Sequence, residues 1–179
     1  MTRLFVAIDL PEEIKEELLK VQKKIATNAA KISWAYKKQF HLTLKFLGEV
    51  KEDKFNNIIA RLERIDFKGF NLCLEKIGFF PDLHQGDLKV IWASISPEKK
   101  VMELQQKIDE ELLEIFPSEQ KFQSHITLGR VKALKKPKEF IENAKKVSIS
   151  PLCFDVKNFS LYKSTKVGGA HIYTVLKKF

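Results

Sequence analysis

"FHLTLKFLGEV" (residues 40–50) and "QSHITLGRV" (residues 123–131) each place a histidine and a threonine two positions apart at the start of an apolar run. In a β-strand, successive side chains point to opposite faces. His41 and Thr43 therefore share one face, as His125 and Thr127 do, while the aliphatic residues between them take the other face. Both stretches predict a strand that buries its aliphatic side and leaves a histidine and a threonine accessible.

The segments before these strands also occur twice. "RLFVAIDLP" (3–11) and "KVIWASISP" (89–97) each predict a strand that ends at a proline, a residue suited to the first turn of a helix. Apolar residues at helical spacing follow each proline; they are Ile14, Leu18, Val21 and Ile25 in the first copy and Val101, Leu104, Ile108 and Leu112 in the second. The two copies run in register as far as their histidines.

The match continues after the histidines, where "NLCLEKIGFF" (71–80) resembles "PLCFDVKNFS" (151–160). We therefore predict one domain over residues 1–179 with an internal repeat of about 3–87 and 88–179. The alternation of strands and helices predicts an α/β (α+β) fold with two duplicated lobes, each a mainly antiparallel sheet with helices on its outer face. An approximate two-fold axis would leave a cleft between the lobes, lined by the matching strands.

The composition is that of a soluble globular protein, with 44% hydrophobic and 31% charged residues. No apolar run approaches the ~20 residues of a membrane span, and the first residues enter a predicted strand without a cleavage signal. We expect a cytoplasmic monomer without a membrane partner. Cys73 and Cys153 lack metal-binding spacing and are expected to be reduced thiols in the core.

The formal charge of +9 favours polyanionic partners such as nucleic acid. Much of this charge lies on predicted helix faces, where solvation and pairing between neighbouring turns account for it equally well. The charge alone does not separate these two explanations.

Two imidazoles and two hydroxyls in one cleft would suit a phosphodiester. Near neutral pH one imidazole can act as a base and the other, protonated, as an acid, and hydroxyls can donate hydrogen bonds to phosphoryl oxygens. Zinc is the alternative ligand, but neither strand supplies a third donor at a convincing spacing. We therefore predict a reaction that needs no metal and no cofactor.

These motifs, together with "RLFVAIDLP", "VIWASI" (90–95) and "LYKSTKVGGAHIYTVLKKF" (161–179), resemble the 2′-5′ RNA ligase family of the 2H phosphoesterase superfamily, also called RNA 2′,3′-cyclic phosphodiesterases. The resemblance spans essentially the whole chain. It implies a bilobal fold and an RNA substrate with a 2′,3′-cyclic phosphate end, with tRNA fragments among the candidates. It also implies that His41 protonates the leaving 3′ oxygen, His125 activates water, and Thr43 and Thr127 bind the phosphate.

The family's second motif is often followed by an arginine, here Arg130, which would also bind the substrate. Strict alternation places Arg130 opposite His125, so it reaches the cleft only if the strand twists or bulges at Gly129. Lys45 shares the parity of His41. Phe5 and Trp34 are candidates for stacking a base or for the core, and His84 and His171 carry no motif.

Three functions remain open at this point. The first is an RNA-end cyclic phosphodiesterase, with 2′-5′ ligation as the same chemistry in reverse. The second is a phosphodiesterase of a small cyclic nucleotide or an ADP-ribose cyclic phosphate. The third is a non-catalytic RNA-binding module, which the absence of RNP, KH and zinc-knuckle signatures disfavours.

Overall fold

A computed structural model describes residues 1–81, 88–118 and 121–179. Within these ranges the strands are β1 (Thr2–Asp9), β2 (Ala30–Trp34), β3 (His41–Val50), β4 (Phe70–Phe80), β5 (Val90–Ser96), β6 (Ile126–Leu134), β7 (Cys153–Val156), β8 (Ser160–Val167) and β9 (Ala170–Lys178). The helices are α1 (Glu12–Ile25), α2 (Phe55–Leu62), α3 (Glu98–Leu112) and α4 (Pro137–Lys146). Short 3₁₀ turns precede β3 and α2.

The strands form two sheets in which the described pairs are antiparallel, as the sequence predicted. The first sheet has the order β3-β1-β8-β9, and the second has the order β2-β6-β5-β4-β7. Both sheets take strands from both halves of the chain, so a sheet does not correspond to one predicted half. The internal repeat remains a prediction from the sequence.

The two longest helices bury the faces that the apolar spacing predicted. Ile14, Leu18, Val21 and Ile25 of α1 and Val101, Leu104, Ile108 and Leu112 of α3 belong to a hydrophobic core shared by both sheets. Within the described ranges, no helix is long and apolar enough to cross a membrane. The core fixes each sheet from one side and leaves the opposite face of each histidine strand accessible.

The prediction of reduced core thiols is wrong. Cys73 of β4 lies directly opposite Cys153 of β7, and the two form a disulfide. Leu72 and Leu74 point into the core, so alternation turns Cys73 to the other face of the sheet. The cysteines are therefore half-buried and exposed, respectively, and link two neighbouring strands rather than fill the interior.

Candidate active site

β3 contains a β-bulge directly after Thr43. Successive residues of β1 pair with Thr43 and with Lys45, so Leu44 has no cross-strand partner. A bulge reverses the alternation of the residues beyond it. The expected shared face of Lys45 and His41 is therefore wrong: Lys45 is 3% exposed and forms a buried ion pair with Asp109 of α3.

β6 contains the same feature after Thr127. Successive residues of β5 pair with the residues on either side of Leu128, which is the bulge residue. The shift places Arg130 on the face of His125, one residue earlier than the bulge at Gly129 that the sequence suggested. The positive charge of Arg130 lowers the pKa of His125 and also acts on Tyr173 of β9, in the other sheet. Arg130 therefore lies in the cleft.

Phe46 is a cleft residue that the sequence reasoning missed. The bulge at Leu44 turns Phe46 to the side of His41, where its side chain is 67% exposed. Its ring centroid lies 6.3 Å from that of Phe5. Phe46 follows its histidine by five residues, as Arg130 follows its own, so comparing the two copies position by position could have found it.

Both catalytic candidates are oriented by the same backbone contact. The His41 Nδ1 lies 2.6 Å from the Gln39 carbonyl oxygen, and the His125 Nδ1 lies 2.9 Å from the Gln123 carbonyl oxygen. Because a carbonyl only accepts, each Nδ1 carries a hydrogen and donates it. The Nε2 atoms are left for a ligand, as acceptors in the neutral rings and as donors in the protonated rings.

Burial is the main influence on the charge of both imidazoles, since it disfavours the protonated form. Burial lowers the pKa of His41 to about 4, against the raising effects of the Gln39 carbonyl and the Asp9 carboxylate. The charge of His125 lowers this pKa further, so the two rings lie within electrostatic reach of each other. Burial and then Arg130 lower the pKa of His125, with the Gln123 carbonyl opposing them.

An aromatic layer supports His41 on the first sheet. The Phe5 ring is 4.9 Å from the His41 ring and stacks on Tyr162 at 5.1 Å, and Tyr173 meets His41 edge-on at 5.1 Å. Phe5 is 3% exposed, so it serves as packing and is not free to stack a base. The layer explains why burial is the largest influence on the pKa of His41.

His125 has an equivalent support on the second sheet. The Phe80 ring meets the His125 ring edge-on at 5.4 Å and stacks on Trp92 at 4.8 Å. Trp92 pairs across the sheet with Thr127, so it lies on the same face as both motif residues. Burial against these rings again favours the neutral imidazole.

Trp34 packs in the second sheet, and His171 lies beside the His41 half of the site, where its carbonyl oxygen accepts a hydrogen bond of 2.8 Å from the Gln39 side chain. Trp34 packs over Gly129, where an added Cβ would come within 2.7 Å of the indole, so this glycine permits the close contact. His171 contacts the Ser164 hydroxyl at 3.1 Å, and His84 falls outside the described residues. Among the residues that the structure describes, no three His, Cys, Asp or Glu side chains are grouped closely enough to hold a metal ion.

Two antiparallel sheets that present matched His-x-Thr strands to one cleft define the chain as a 2H-type phosphoesterase by fold and site. The family sequence model of the LigT-like phosphoesterases matches residues 8–92 and 94–173, so the chain belongs to that family. The resemblance inferred from the sequence is thereby confirmed.

Named relatives match the chain over nearly its whole length. This chain is 37% identical over 181 residues to the RNA 2′,3′-cyclic phosphodiesterase of Methanocaldococcus jannaschii, and the alignment covers 99% of each chain. A Thermus thermophilus crystal structure matches with a TM-score of 0.83 and 29% identity, covering 99% of this chain and 96% of that one. Escherichia coli LigT in complex with phosphate matches with a TM-score of 0.75 and 30% identity, covering 99% and 96%.

Proposed function

We propose that this protein is an RNA 2′,3′-cyclic phosphodiesterase, which opens a terminal 2′,3′-cyclic phosphate to a 2′-phosphate. The observation that carries the proposal is the matched orientation of His41 and His125, whose Nδ1 atoms are both held by a backbone carbonyl. The name of the full-length relative and the phosphate complex of LigT support the substrate class.

The proposed reaction is a proton transfer in two places around one phosphorus atom. Neutral His125 accepts a proton at Nε2 from water as the water oxygen bonds to phosphorus. The bond between phosphorus and the 3′ oxygen breaks, and protonated His41 donates its Nε2 proton to that oxygen. The 2′ ester remains, so the product carries a 2′-phosphate and a free 3′ hydroxyl, and general acid–base catalysis of this kind contributes typically 10²- to 10⁴-fold for each group.

The lowered pKa of His41 leaves it mostly neutral near pH 7 in the free protein. A nearby negative charge favours the charged form of an imidazole. The phosphodiester anion therefore recruits the proton that His41 later donates, and the acid is assembled by substrate binding. Asp9 of β1 pairs with His41 of β3, and its carboxylate also raises the pKa of His41.

Thr43 and Thr127 each lie two residues after a catalytic histidine and on its face of the strand, and both are half-buried. Their hydroxyls donate to the non-bridging oxygens, where negative charge grows in the transition state. Arg130, on the cleft face of β6, adds a fixed positive charge toward the same phosphate or its nucleoside. None of these roles requires a metal or a cofactor.

The macromolecule that the proposed enzyme binds is RNA. The net charge of +9 strengthens binding to a phosphate backbone and predicts a salt-dependent affinity. Within this proposal the protein acts as a cytoplasmic monomer, and tRNA fragments with cyclic phosphate ends are candidate substrates.

The deciding experiment is incubation with a short RNA that ends in a 2′,3′-cyclic phosphate, followed by analysis of the new end group. A 2′-phosphate product supports the proposal. Turnover of small cyclic nucleotides but not of the RNA would replace it with a small-molecule phosphodiesterase. Binding of the RNA without product would leave only an RNA-binding module.

A further inference from the structure

A cavity of about 330 Å³ opens beside His125. We call it the Phe46 pocket; its walls include Thr43, Phe46, Phe80, Lys121, Phe122 and His125. Two of these residues belong to the His-x-Thr motifs, so the pocket is continuous with the reacting phosphate. Phe80 supports the His125 ring and Phe122 packs against the core, whereas the exposed ring of Phe46 has no role in the proposed hydrolysis.

The walls of the Phe46 pocket suit a nucleobase. Phe46, Phe80 and Phe122 supply phenyl rings, and the first of these leaves two thirds of its side chain exposed, at 67%. An aromatic side chain this exposed is unfavourable in water and offers a stacking surface, which every base can use regardless of sequence. Exposed Lys121 adds one positive charge at the wall, appropriate for a phosphate attached to the same nucleoside.

The position of the pocket selects which nucleoside it receives. In the proposed mechanism the attacking oxygen enters on the side of His125, opposite the leaving 3′ oxygen and His41. The substituent on an attacking oxygen must therefore extend to the His125 side. His125 lines the Phe46 pocket, whereas His41 is absent from its walls.

We propose that the Phe46 pocket binds the nucleoside whose 5′ oxygen is attached to the reacting phosphorus in a 2′-5′ linkage. This inference rests on the proposed function, because it uses the assigned sides of the two histidines. In the joining direction, the 5′ hydroxyl gives its proton to His125, its oxygen bonds to phosphorus, and the 3′ oxygen leaves with a proton from His41. In the cleaving direction, the 3′ hydroxyl gives its proton to neutral His41 as its oxygen bonds to phosphorus, and the 5′ oxygen leaves with a proton from His125.

Three substrates test this assignment with the Phe46→Ala variant. The first is a 2′,3′-cyclic mononucleotide, which has no second nucleoside. The second is a dinucleotide that ends in a cyclic phosphate, whose extra nucleoside lies upstream. The third is a 2′-5′-linked dinucleotide with a free 3′ hydroxyl, whose extra nucleoside occupies the proposed pocket.

The expected result is a selective loss on the third substrate. Its kcat/KM, divided by that of the cyclic mononucleotide, falls about 10- to 100-fold in Phe46→Ala, the range expected for loss of one base–aromatic stack. The same ratio for the second substrate stays within about threefold of the wild-type ratio. Phe46→Trp, which keeps a ring, retains the wild-type ratios. Leu113→Ala, which removes a side chain of similar exposure (59%) outside the pocket, serves as the matched control.

Two results would overturn the assignment. An equal change in all three rates would show that Phe46 acts only through the catalytic residues. A selective loss on the upstream dinucleotide would assign the pocket to the other nucleoside.

A failure of the proposed function can be told apart from a failure of the pocket. If the wild type opens no cyclic phosphate, the hydrolytic proposal falls. Calorimetric binding of the 2′-5′ dinucleotide to the slowed His41→Ala protein then decides the pocket. Binding that weakens about 10- to 100-fold when Phe46→Ala is added supports it, and unchanged or undetectable binding rejects it.

Discussion

Asp9 and His41 are direct cross-strand partners on β1 and β3, and the Asp9 carboxylate raises the pKa of the imidazole against the effect of burial. Lys15 of α1 holds this carboxylate through a hydrogen bond of 2.8 Å from its Nζ to Oδ1. Asp9 touches neither the phosphate nor the leaving oxygen in our scheme. It is a positioning residue that sets how readily His41 takes up a proton.

Replacing Asp9 by asparagine removes this charge and keeps the shape of the side chain. The pKa of His41 should fall further, so fewer molecules carry the proton that His41 donates. We expect kcat/KM to fall roughly 3- to 10-fold, since one pKa unit corresponds to a tenfold change in population. The limb of the profile of kcat/KM against pH that reports His41 should move to lower pH, and an unmoved limb would show that Asp9 has only a structural role.

The histidines and threonines should differ in the size of their effects. His41→Ala or His125→Ala removes an acid or a base and should slow cyclic phosphate opening by roughly 10²- to 10⁴-fold. Thr43→Ala or Thr127→Ala removes one hydrogen bond to the phosphoryl group, with a smaller expected loss of about 10- to 10³-fold. RNA binding should persist in all four variants, because its affinity comes mainly from the basic surface. Near wild-type rates in a folded histidine variant, checked by circular dichroism, would reject the scheme.

The titration of His41 offers a test that needs no turnover. Burial favours the neutral ring, so NMR titration of the free protein should give a His41 pKa of about 4, well below the ordinary value of about 6.5. An anion in the cleft favours the protonated ring, so inorganic phosphate should raise this pKa. The pH optimum of kcat should accordingly lie above that of kcat/KM, which reports the free enzyme. A His41 pKa that does not change with phosphate would remove substrate-assisted protonation from the mechanism.

Replacing Arg130 should change the pH dependence of the reaction, because the Arg130 charge lowers the pKa of His125. Arg130→Ala should raise the pKa of His125 and move the limb of kcat/KM that reports His125 to higher pH. KM for the cyclic phosphate should rise as well, by about 10-fold for one lost charged hydrogen bond of roughly 1.5 kcal/mol. Arg130→Lys keeps the charge and should restore the position of the limb, even if KM recovers only in part.

The disulfide should contribute to stability. It joins residues 80 positions apart, and cross-links of this kind typically stabilise a fold by about 2–4 kcal/mol. For a domain of this size, reduction should lower Tm by roughly 5–15 °C. Differential scanning calorimetry with and without dithiothreitol measures this, and the Cys153→Ser variant should not respond to the reductant. Equal melting of the oxidised and reduced wild type would contradict the expectation.

Sequence periodicity predicted the elements well where burial enforces it. The stripes of α1 and α3 and the aliphatic sides of β3 and β6 face the core because apolar side chains must leave water. Alternation correctly placed His41 and Thr43 on one face of the strand. It gave the wrong face for Lys45 and Arg130, which follow the bulges. Leu44 and Leu128 look like ordinary strand residues, and their bulges are set by pairing with β1 and β5, which lie far away in the sequence.

The disulfide was missed for the opposite reason. The alternation of Leu72 and Leu74 already excluded Cys73 from the core, but apolar neighbours were taken as a sign of burial. Its partner could not be read from local sequence, because β4 and β7 meet only through the order of the second sheet. Phe46 and Arg130 could have been paired only by trusting the internal repeat beyond the histidines.

The interleaved strand order has a consequence for how the chain is made. β1 lies between β3 and β8, yet β8 begins at Ser160, long after β3 ends at Val50. At a synthesis rate of about 5–20 residues per second, β1 emerges from the ribosome many seconds before its second neighbour. During that interval the nascent chain carries an apolar strand with one open edge, the kind of surface that templates aggregation and that chaperones cover. The same order makes the C-terminal hairpin of β8 and β9 the step that completes the His41 half of the cleft.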